Sequence, residues 1–314
     1  MSTKTCIAAV VVTYNRKDLL LKCLHGIIQQ TYKPTDVYIV DNASTDGTRD
    51  TLEANGFIDC DKKAKVLYDI SFHYNKLDTN TGGAGGFYYG MKTAHETKRY
   101  DGLWVMDDDG IPEKDCLKYL VENLKKYDYI APTIIAIENN NQIGFHYYGK
   151  LMTYDMFKTY AKDNIVFNYA CPMNGILYSS KLLDVVGYPK PNLFIWGDEQ
   201  NMNIRCVDAG FIPVTDIRAI HYHPQSKDVY AKSLFGKKIV FVPQLWKGYC
   251  QYRNTMYNYH SKLTVKAIIS YYVIHMYYFL FVIHSFKWVK CFNDAFFAGF
   301  KKEPDQGYKK YMEY

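Results

Sequence analysis

The chain reads as an α/β protein. A mostly parallel central sheet with helices on both faces is followed by a helical, aromatic-rich C-terminal extension. Three observations predict this. Short apolar runs of strand length alternate with helix-period segments through the first 110 residues. Polar or glycine-rich turns fall where those runs end. The C-terminal third carries much of the aromatic content, including 20 residues from Ala267 to Phe286 without Asp, Glu, Lys or Arg.

Cys6 to Val12 is apolar throughout and rich in Val, as a strand buried on both faces must be. Lys17 to Gln29 places Leu19, Leu20, Cys23, Leu24 and Ile27 at helical spacing. Pro34 precedes a second strand, Val37 to Val40, and the polar stretch Asp41-Asn42-Ala43-Ser44-Thr45-Asp46-Gly47-Thr48 ends it and opens a helix. Val66-Leu67-Tyr68 reads as a short third strand, Phe87 to Glu96 as a helix, and Leu103 to Met106 as a further strand. Ile111 to Leu124 has a helical pattern with Pro112 in its first turn. Tyr129 to Glu138 returns to the sheet, and residues 139–170 read as irregular and aromatic. Leu182 to Val186 is a short helix before Gly187, and Glu199 to Ala209 is a helix stopped by Gly210. The reading divides the chain into a catalytic domain, 1–225, and a helical C-terminal region, 226–314.

The bulk properties bound the function. A chain of 314 residues that is 48% hydrophobic builds a sizeable core. A net charge of +6, with no long basic block before Asp107, disfavours nucleic acid as a partner. Eight cysteines form no CxxC pair and suit free thiols in a reducing compartment. The first apolar run is too short for a secretory signal, so a cytoplasmic location is expected. The stretch 267–286 has the length of a bilayer span but holds two His and four Tyr. A helical pair at a membrane surface, with Lys287 and Lys290 near anionic headgroups, or a helix packed on the main domain, are the other readings.

Five groups of residues carry candidate chemistry. Asp107-Asp108-Asp109 follows an apolar strand, and three adjacent carboxylates need a counter-charge. A divalent cation bearing phosphate oxygens is one, with Asp107 and Asp109 on one side of an extended backbone. Asp108 then points elsewhere, toward a sugar hydroxyl or a structural base. A solvated turn is the structural alternative. Thr81-Gly82-Gly83-Ala84-Gly85-Gly86 lets the backbone approach a ligand ahead of a helix N-terminus, or is simply a flexible loop. It matches neither the dinucleotide fingerprint nor a P-loop. Thr13-Tyr14-Asn15-Arg16 and Asp41-Asn42 end two strands, where α/β sheets bind ligands. Trp196-Gly197-Asp198-Glu199 sets two carboxylates, a candidate general base, beside an aromatic ring suited to a sugar face, although Asp198 also suits a helix cap. His221 and His223 sit two apart in an extended stretch, and one could complete a metal site. No HExxH or cysteine set points to zinc.

Together these blocks resemble the inverting GT-A glycosyltransferases of family 2. Ala9 to Arg16 and Val40 to Thr48 resemble the start of that family. Asn80 to Phe87 resembles its galactofuranosyltransferase branch, close to rhamnosyltransferases, and Asp107-Asp108-Asp109 its expanded metal motif. Tyr249-Cys250-Gln251-Tyr252-Arg253-Asn254 resembles the segment after the catalytic domain. The resemblance implies Mn²⁺ or Mg²⁺ held by Asp107, Asp109 and His223. It implies nucleoside contacts from Thr13, Asn15 and Asp41, and a Gly82–Gly86 loop, with Gly83, Ala84 and Gly85, along a nucleotide-sugar. Asp108 and Trp196 complete the donor site. Glu199 falls on the catalytic base position, Asp198 is its rival, and Asn201 stands where the family often has a second acid. The implied donor is UDP-galactofuranose, with dTDP-rhamnose as the alternative. The implied acceptor is a polysaccharide or lipid-linked glycan of the cell envelope, capsule or O-antigen, handled at the cytoplasmic face of the membrane. A sugar nucleotidyltransferase or a carbohydrate-binding module are the readings from other classes.

Overall fold

The computed structural model describes residues 4–59, 61–171, 173–225 and 230–312. The chain divides into two compact units, residues 1–189 with 202–226, and residues 190–201 with 227–314. The first unit runs β1 (Ile7–Thr13), α1 (Lys17–Ile28), β2 (Asp36–Asp41), α2 (Thr48–Ala54), β3 (Lys65–Leu67), β4 (Ile70–Lys76), α3 (Gly82–His95), β5 (Gly102–Asp107), β6 (Ile111–Pro112), α4 (Cys116–Asn123), β7 (Tyr129–Ala136), β8 (Asn139–Ile143), α5 (Tyr154–Lys158), β9 (Ile165–Phe167), β10 (Asn174–Ser179) and α6 (Ser180–Val186). The point of division falls within α7 (Asp198–Asp208), and β11 (Val214–His223) belongs to the first unit.

The main sheet has the order β3-β4-β2-β1-β5-β10-β7-β11-β6, with β8 on β7 and β9 on β11. Strands β4, β2, β1 and β5 are parallel. Strand β10 then runs antiparallel to both β5 and β7, while β7 and β11 are parallel again. The sheet is therefore mixed, not mostly parallel. Its reversed strand was invisible in sequence because Asn174-Gly175 opens it and only a short apolar run follows. Strands β4, β8 and β9 were missed for similar reasons, and the pattern at Ile111 begins with a strand, β6, rather than a helix.

Strand β1 is buried on both faces, as its composition demands. Ile7, Ala9 and Val11 pack with Leu20, Leu24 and Ile27 of α1 and Leu117 of α4. Ala8, Val10 and Val12 pack with Phe87 and Met91 of α3 and Leu182 of α6. The glycine run is not a loop before a helix at Phe87. It is the opening of α3 itself, which begins at Gly82. A Cβ on Gly86 would lie 2.5 Å from Val12 Cγ1, and one on Gly90 would lie 2.6 Å from Val10 Cγ1 and 2.7 Å from Val40 Cγ2. Two glycines one turn apart thus let α3 lie against the β1–β2 face.

The second unit holds β12 (Tyr230–Lys232), β13 (Lys238–Val240), α8 (Leu245–Tyr259), α9 (Val265–Tyr277) and α10 (Phe286–Ala298) around Tyr252, Phe279, Trp288 and Phe292. The charge-free stretch is not one continuous helix. α9 passes into a wider π-type turn, Tyr278–Val282, and His284 adopts a positive φ before α10 starts. Among the described residues, Val265–Val282 is the one helical segment long and apolar enough to cross a bilayer. Seven described cysteines are free thiols, and Cys60 lies outside the described residues.

Candidate functional site

Register places the candidate residues of the first unit. Thr13 pairs with Asp41 and Val12 with Asp107, so the carboxyl ends of β2, β1 and β5 lie side by side. Asp41 is fully buried and accepts hydrogen bonds from the Tyr74 hydroxyl, 2.5 Å, and the Ser44 amide, 2.7 Å. The Asn15 side chain accepts from the Thr45 amide at 2.7 Å, with its backbone at φ 53°. Asn42 donates to the Gly82 carbonyl and accepts from the Thr81 amide, both at 2.8 Å. That buried side chain ties the loop after β2 to the start of α3.

The three carboxylates do not share one setting, and Arg16 spans Asp108 and Asp109. Asp107 ends β5. Asp108 is buried, accepting from the Thr13 hydroxyl at 2.6 Å and from Arg16 at 3.2 Å. Arg16 also lies 2.7 Å from Asp109, whose other oxygen is 3.2 Å from His223 Nε2. Arg16 is thus a counter-charge that the sequence reading did not assign to the triplet, although it quoted the block containing it. Burial raises the Asp108 carboxyl to about 6, against the downward pull of Thr13 and Arg16. Burial also acts to raise Asp109, but His223 and Arg16 outweigh it and hold that carboxyl below its usual range.

Among the described residues, no group of three or more His, Cys, Asp or Glu gathers as a metal cluster. Of the three expected ligands, Asp109 and His223 are brought together. His223 Nδ1 donates to the Pro224 carbonyl at 2.6 Å. Protonated at Nε2, the ring pairs with Asp109 Oδ1 at 3.2 Å; without that proton it turns a lone pair toward the carboxylate oxygen. Two facing lone pairs, one on nitrogen and one on a carboxylate, fit a divalent cation. His221 differs. It is buried between Gly110 and Gly175, with both ring nitrogens unpartnered and its basicity depressed by burial to about 3. Trp104 is buried, donates to the Gly175 carbonyl at 2.8 Å, and belongs to the core.

Trp196, Gly197, Asp198 and Glu199 lie in the second unit. The loop before α7 turns through positive φ at Phe194 (68°), Trp196 (56°) and Gly197 (90°). For Phe and Trp this backbone costs on the order of 1–3 kcal/mol each and needs outside support. The Trp196 ring is exposed, Asp198 is buried and Glu199 partly so. Burial raises both carboxyls, and the Asp198 charge raises Glu199 further. The raised pair titrates nearer neutrality than ordinary carboxylates, so that one ionised member can accept a proton strongly there.

A family model described as glycosyl transferase family 2 matches residues 8–182. The chain belongs to that family. It is 30% identical to the galactofuranosyltransferase GlfT1 of Mycobacterium tuberculosis (strain H37Rv) over 256 residues, 79% of this chain and 80% of that one. The GlfT1 of Mycolicibacterium smegmatis is 26% identical over 267 residues, 82% and 84% of the two chains. The fold is shared with GalNAc-T7 with UDP, GalNAc and Mn²⁺, at TM-score 0.57, 13% identity, 83% of this chain and 48% of that one. It is shared with Staphylococcus aureus TarS 1-349 in complex with UDP-GlcNAc, at TM-score 0.54, 14% identity, 93% and 80%. The chain is thus a nucleotide-sugar-dependent glycosyltransferase with the GT-A type of α/β fold.

Proposed function

We propose that this enzyme transfers galactofuranose from UDP-galactofuranose, with inversion, to a hydroxyl of a polysaccharide or lipid-linked glycan of the cell envelope, capsule or O-antigen. Similarity to galactofuranosyltransferases over about four-fifths of the chain favours that donor over dTDP-rhamnose. The structural observation that carries the reading is the row of strand ends bearing Thr13, Asp41 and Asp107, beside the facing Asp109 and His223. Asp107, Asp109 and His223 would hold Mn²⁺ or Mg²⁺, which when bound supplies positive charge to a diphosphate leaving group.

The chain's own groups do the rest. Thr13, Asn15 and Asp41 orient the nucleoside, and Asp108 holds Thr13 and Arg16 in place. The first amides of α3, at Gly82, Gly83, Ala84 and Gly85, face the donor's oxygens. Trp196 packs on a sugar face. Glu199, with Asp198 as the rival, takes the proton from the acceptor hydroxyl as it attacks the anomeric carbon opposite the leaving group. One displacement inverts the configuration without a sugar–enzyme bond. The test is nucleoside diphosphate release from UDP-galactofuranose, UDP-galactopyranose and dTDP-rhamnose, with and without Mn²⁺ and a glycolipid acceptor. Release from UDP-galactofuranose that needs both metal and acceptor is expected. Turnover of dTDP-rhamnose alone would replace the donor, and no turnover of any donor would sink the reading.

We also infer a peripheral position on the cytoplasmic face of an anionic membrane. From residue 230 onward there are 13 Lys and Arg against four Asp and Glu, whereas the whole chain is only +6. The same unit exposes Val265, Ile269 and Val273 at one-turn intervals along α9, and Phe281 and Phe286 after it. Apolar side chains among lysines match a lipid surface bearing negative headgroups. The enzyme should co-sediment with phosphatidylglycerol vesicles but not phosphatidylcholine ones, and lose binding as Phe281→Ser/Phe286→Ser. Absence of binding, or a dimer abolished by the same substitutions, would overturn this.

A further inference from the structure

Within the second unit, α8 presents fully buried Arg253 and Asn254, with Asn258 one turn later. Buried polar side chains on a helix need partners, and here the partners are the backbone carbonyls of one loop. Asn254 Nδ2 faces the carbonyls of Leu193 at 3.0 Å, Ile195 at 3.0 Å and Trp196 at 2.5 Å. Arg253 Nη2 donates to Leu193 O at 2.7 Å, while its Nε donates to Asn254 Oδ1 at 2.8 Å and so fixes which way the amide points. Asn258 Nδ2 donates to Gly197 O at 2.7 Å, the carbonyl that also receives the Asn201 amide at 2.9 Å as the first bond of α7. Asn201 returns a side-chain bond to Asn258 Oδ1 at 3.0 Å.

Every carbonyl from Leu193 to Gly197, except that of Phe194, is thus held by this face of α8. The held segment contains all three positive-φ residues before Asp198 and Glu199. A Cβ on Gly197 would lie 2.9 Å from Asn254 Cβ, so helix and loop are already in close contact.

We propose that Asn254 and Asn258 are positioning residues. They clamp the turn that carries the acceptor-activating carboxylates and set the direction in which Asp198 and Glu199 leave it. Asn201 is the third member of the clamp. Its amide supplies a donor to Asn258 that an acidic residue in the ionised form lacks. This gives a physical reason for Asn at that position.

The proposal rests on the reading of Asp198 and Glu199 as the base pair. It is tested on the full chain with Asn254→Ala and Asn258→Ala, beside Glu199→Gln and Asp198→Asn. Four quantities are read: acceptor-dependent kcat, donor KM, acceptor-independent donor hydrolysis, and the acidic limb of the kcat–pH profile. The clamp variants should lose about tenfold or more in acceptor-dependent kcat, while donor KM and hydrolysis, which also feel the Trp196 ring, change by less, so that the ratio of transfer to hydrolysis falls. Their acidic limb should move, because a displaced carboxylate meets a different degree of burial. Wild-type kcat and pH profile in a folded Asn254→Ala overturn the clamp. So does a parallel loss of hydrolysis and transfer, which marks a merely structural role. If Asn254→Ala does not fold, Asn258→Ala, which removes one carbonyl partner, decides by the same readouts. Full activity in both carboxylate variants would instead remove the base assignment. Inactive carboxylate variants beside active clamp variants would remove the clamp alone.

Discussion

Replacing Gly90 by alanine tests the close approach of α3 to the sheet. The added Cβ would sit 2.6 Å from Val10 Cγ1 and 2.7 Å from Val40 Cγ2, both on fully buried side chains of central strands. Neither methyl can turn aside without displacing its neighbours, so α3 must lift or the valines must leave their rotamers. Overpacking of this kind costs about 1–3 kcal/mol. Alanine's better helix propensity offsets roughly 0.5–1 kcal/mol of that. The net loss is up to about 2.5 kcal/mol, and each kcal/mol lowers Tm by roughly 2–4 °C for a domain of this size. Gly83→Ala is the internal control, because nothing lies within 4 Å of its Cβ position. It should leave Tm unchanged or raise it. Differential scanning fluorimetry and urea unfolding of both variants read the contrast. If Gly90→Ala is as stable as Gly83→Ala, the glycines are not there for packing and the account of α3 fails.

Three further outcomes are expected. Asp107→Ala and Asp109→Ala should each abolish Mn²⁺-stimulated turnover, and near-wild-type rates in both would remove the metal assignment. Glu199→Gln should lower kcat far more than it alters donor binding, with the wild-type acidic limb lying above the ordinary carboxylate range because burial raises both acids. If only Asp198→Asn does so, Asp198 is the base. The same pair shapes stability against pH. Since its folded pKa values lie above the unfolded ones, the native state keeps protons that the unfolded chain has lost, and stability falls as pH rises from about 4 toward neutrality. Urea unfolding of Glu199→Gln over that range should show a shallower fall than wild type, and identical slopes would contradict the burial of the pair.

Much was legible because local composition reports local environment. An unbroken apolar run such as Ile7–Val12 is compatible only with burial on both faces, so β1, β2 and β5, and which residues stand at their ends, could be read directly. The family resemblance was carried by those same strand ends. Strand β10 could not be read, because a six-residue segment opened by Asn174-Gly175 has no distinctive period. Its insertion between β5 and β7 is what makes the sheet mixed. The glycine run was seen, but its use was not. Whether glycine serves a ligand or a neighbouring strand depends on what lies opposite, and only the positions of Val10, Val12 and Val40 answer that.

By itself, the sequence determined the α/β alternation, the strand-end acids and the carboxylate pair that opens α7. These follow from hydrophobic period and residue chemistry, which are local. Only the tertiary structure decided that Arg16 neutralises Asp108 and Asp109, that His223 Nε2 stands 3.2 Å from Asp109, and that Asn254 and Asn258 hold the turn before Asp198. Each of those pairings joins residues more than 50 positions apart in the chain. Such contacts are set by strand order and helix packing, and these carry no local signature.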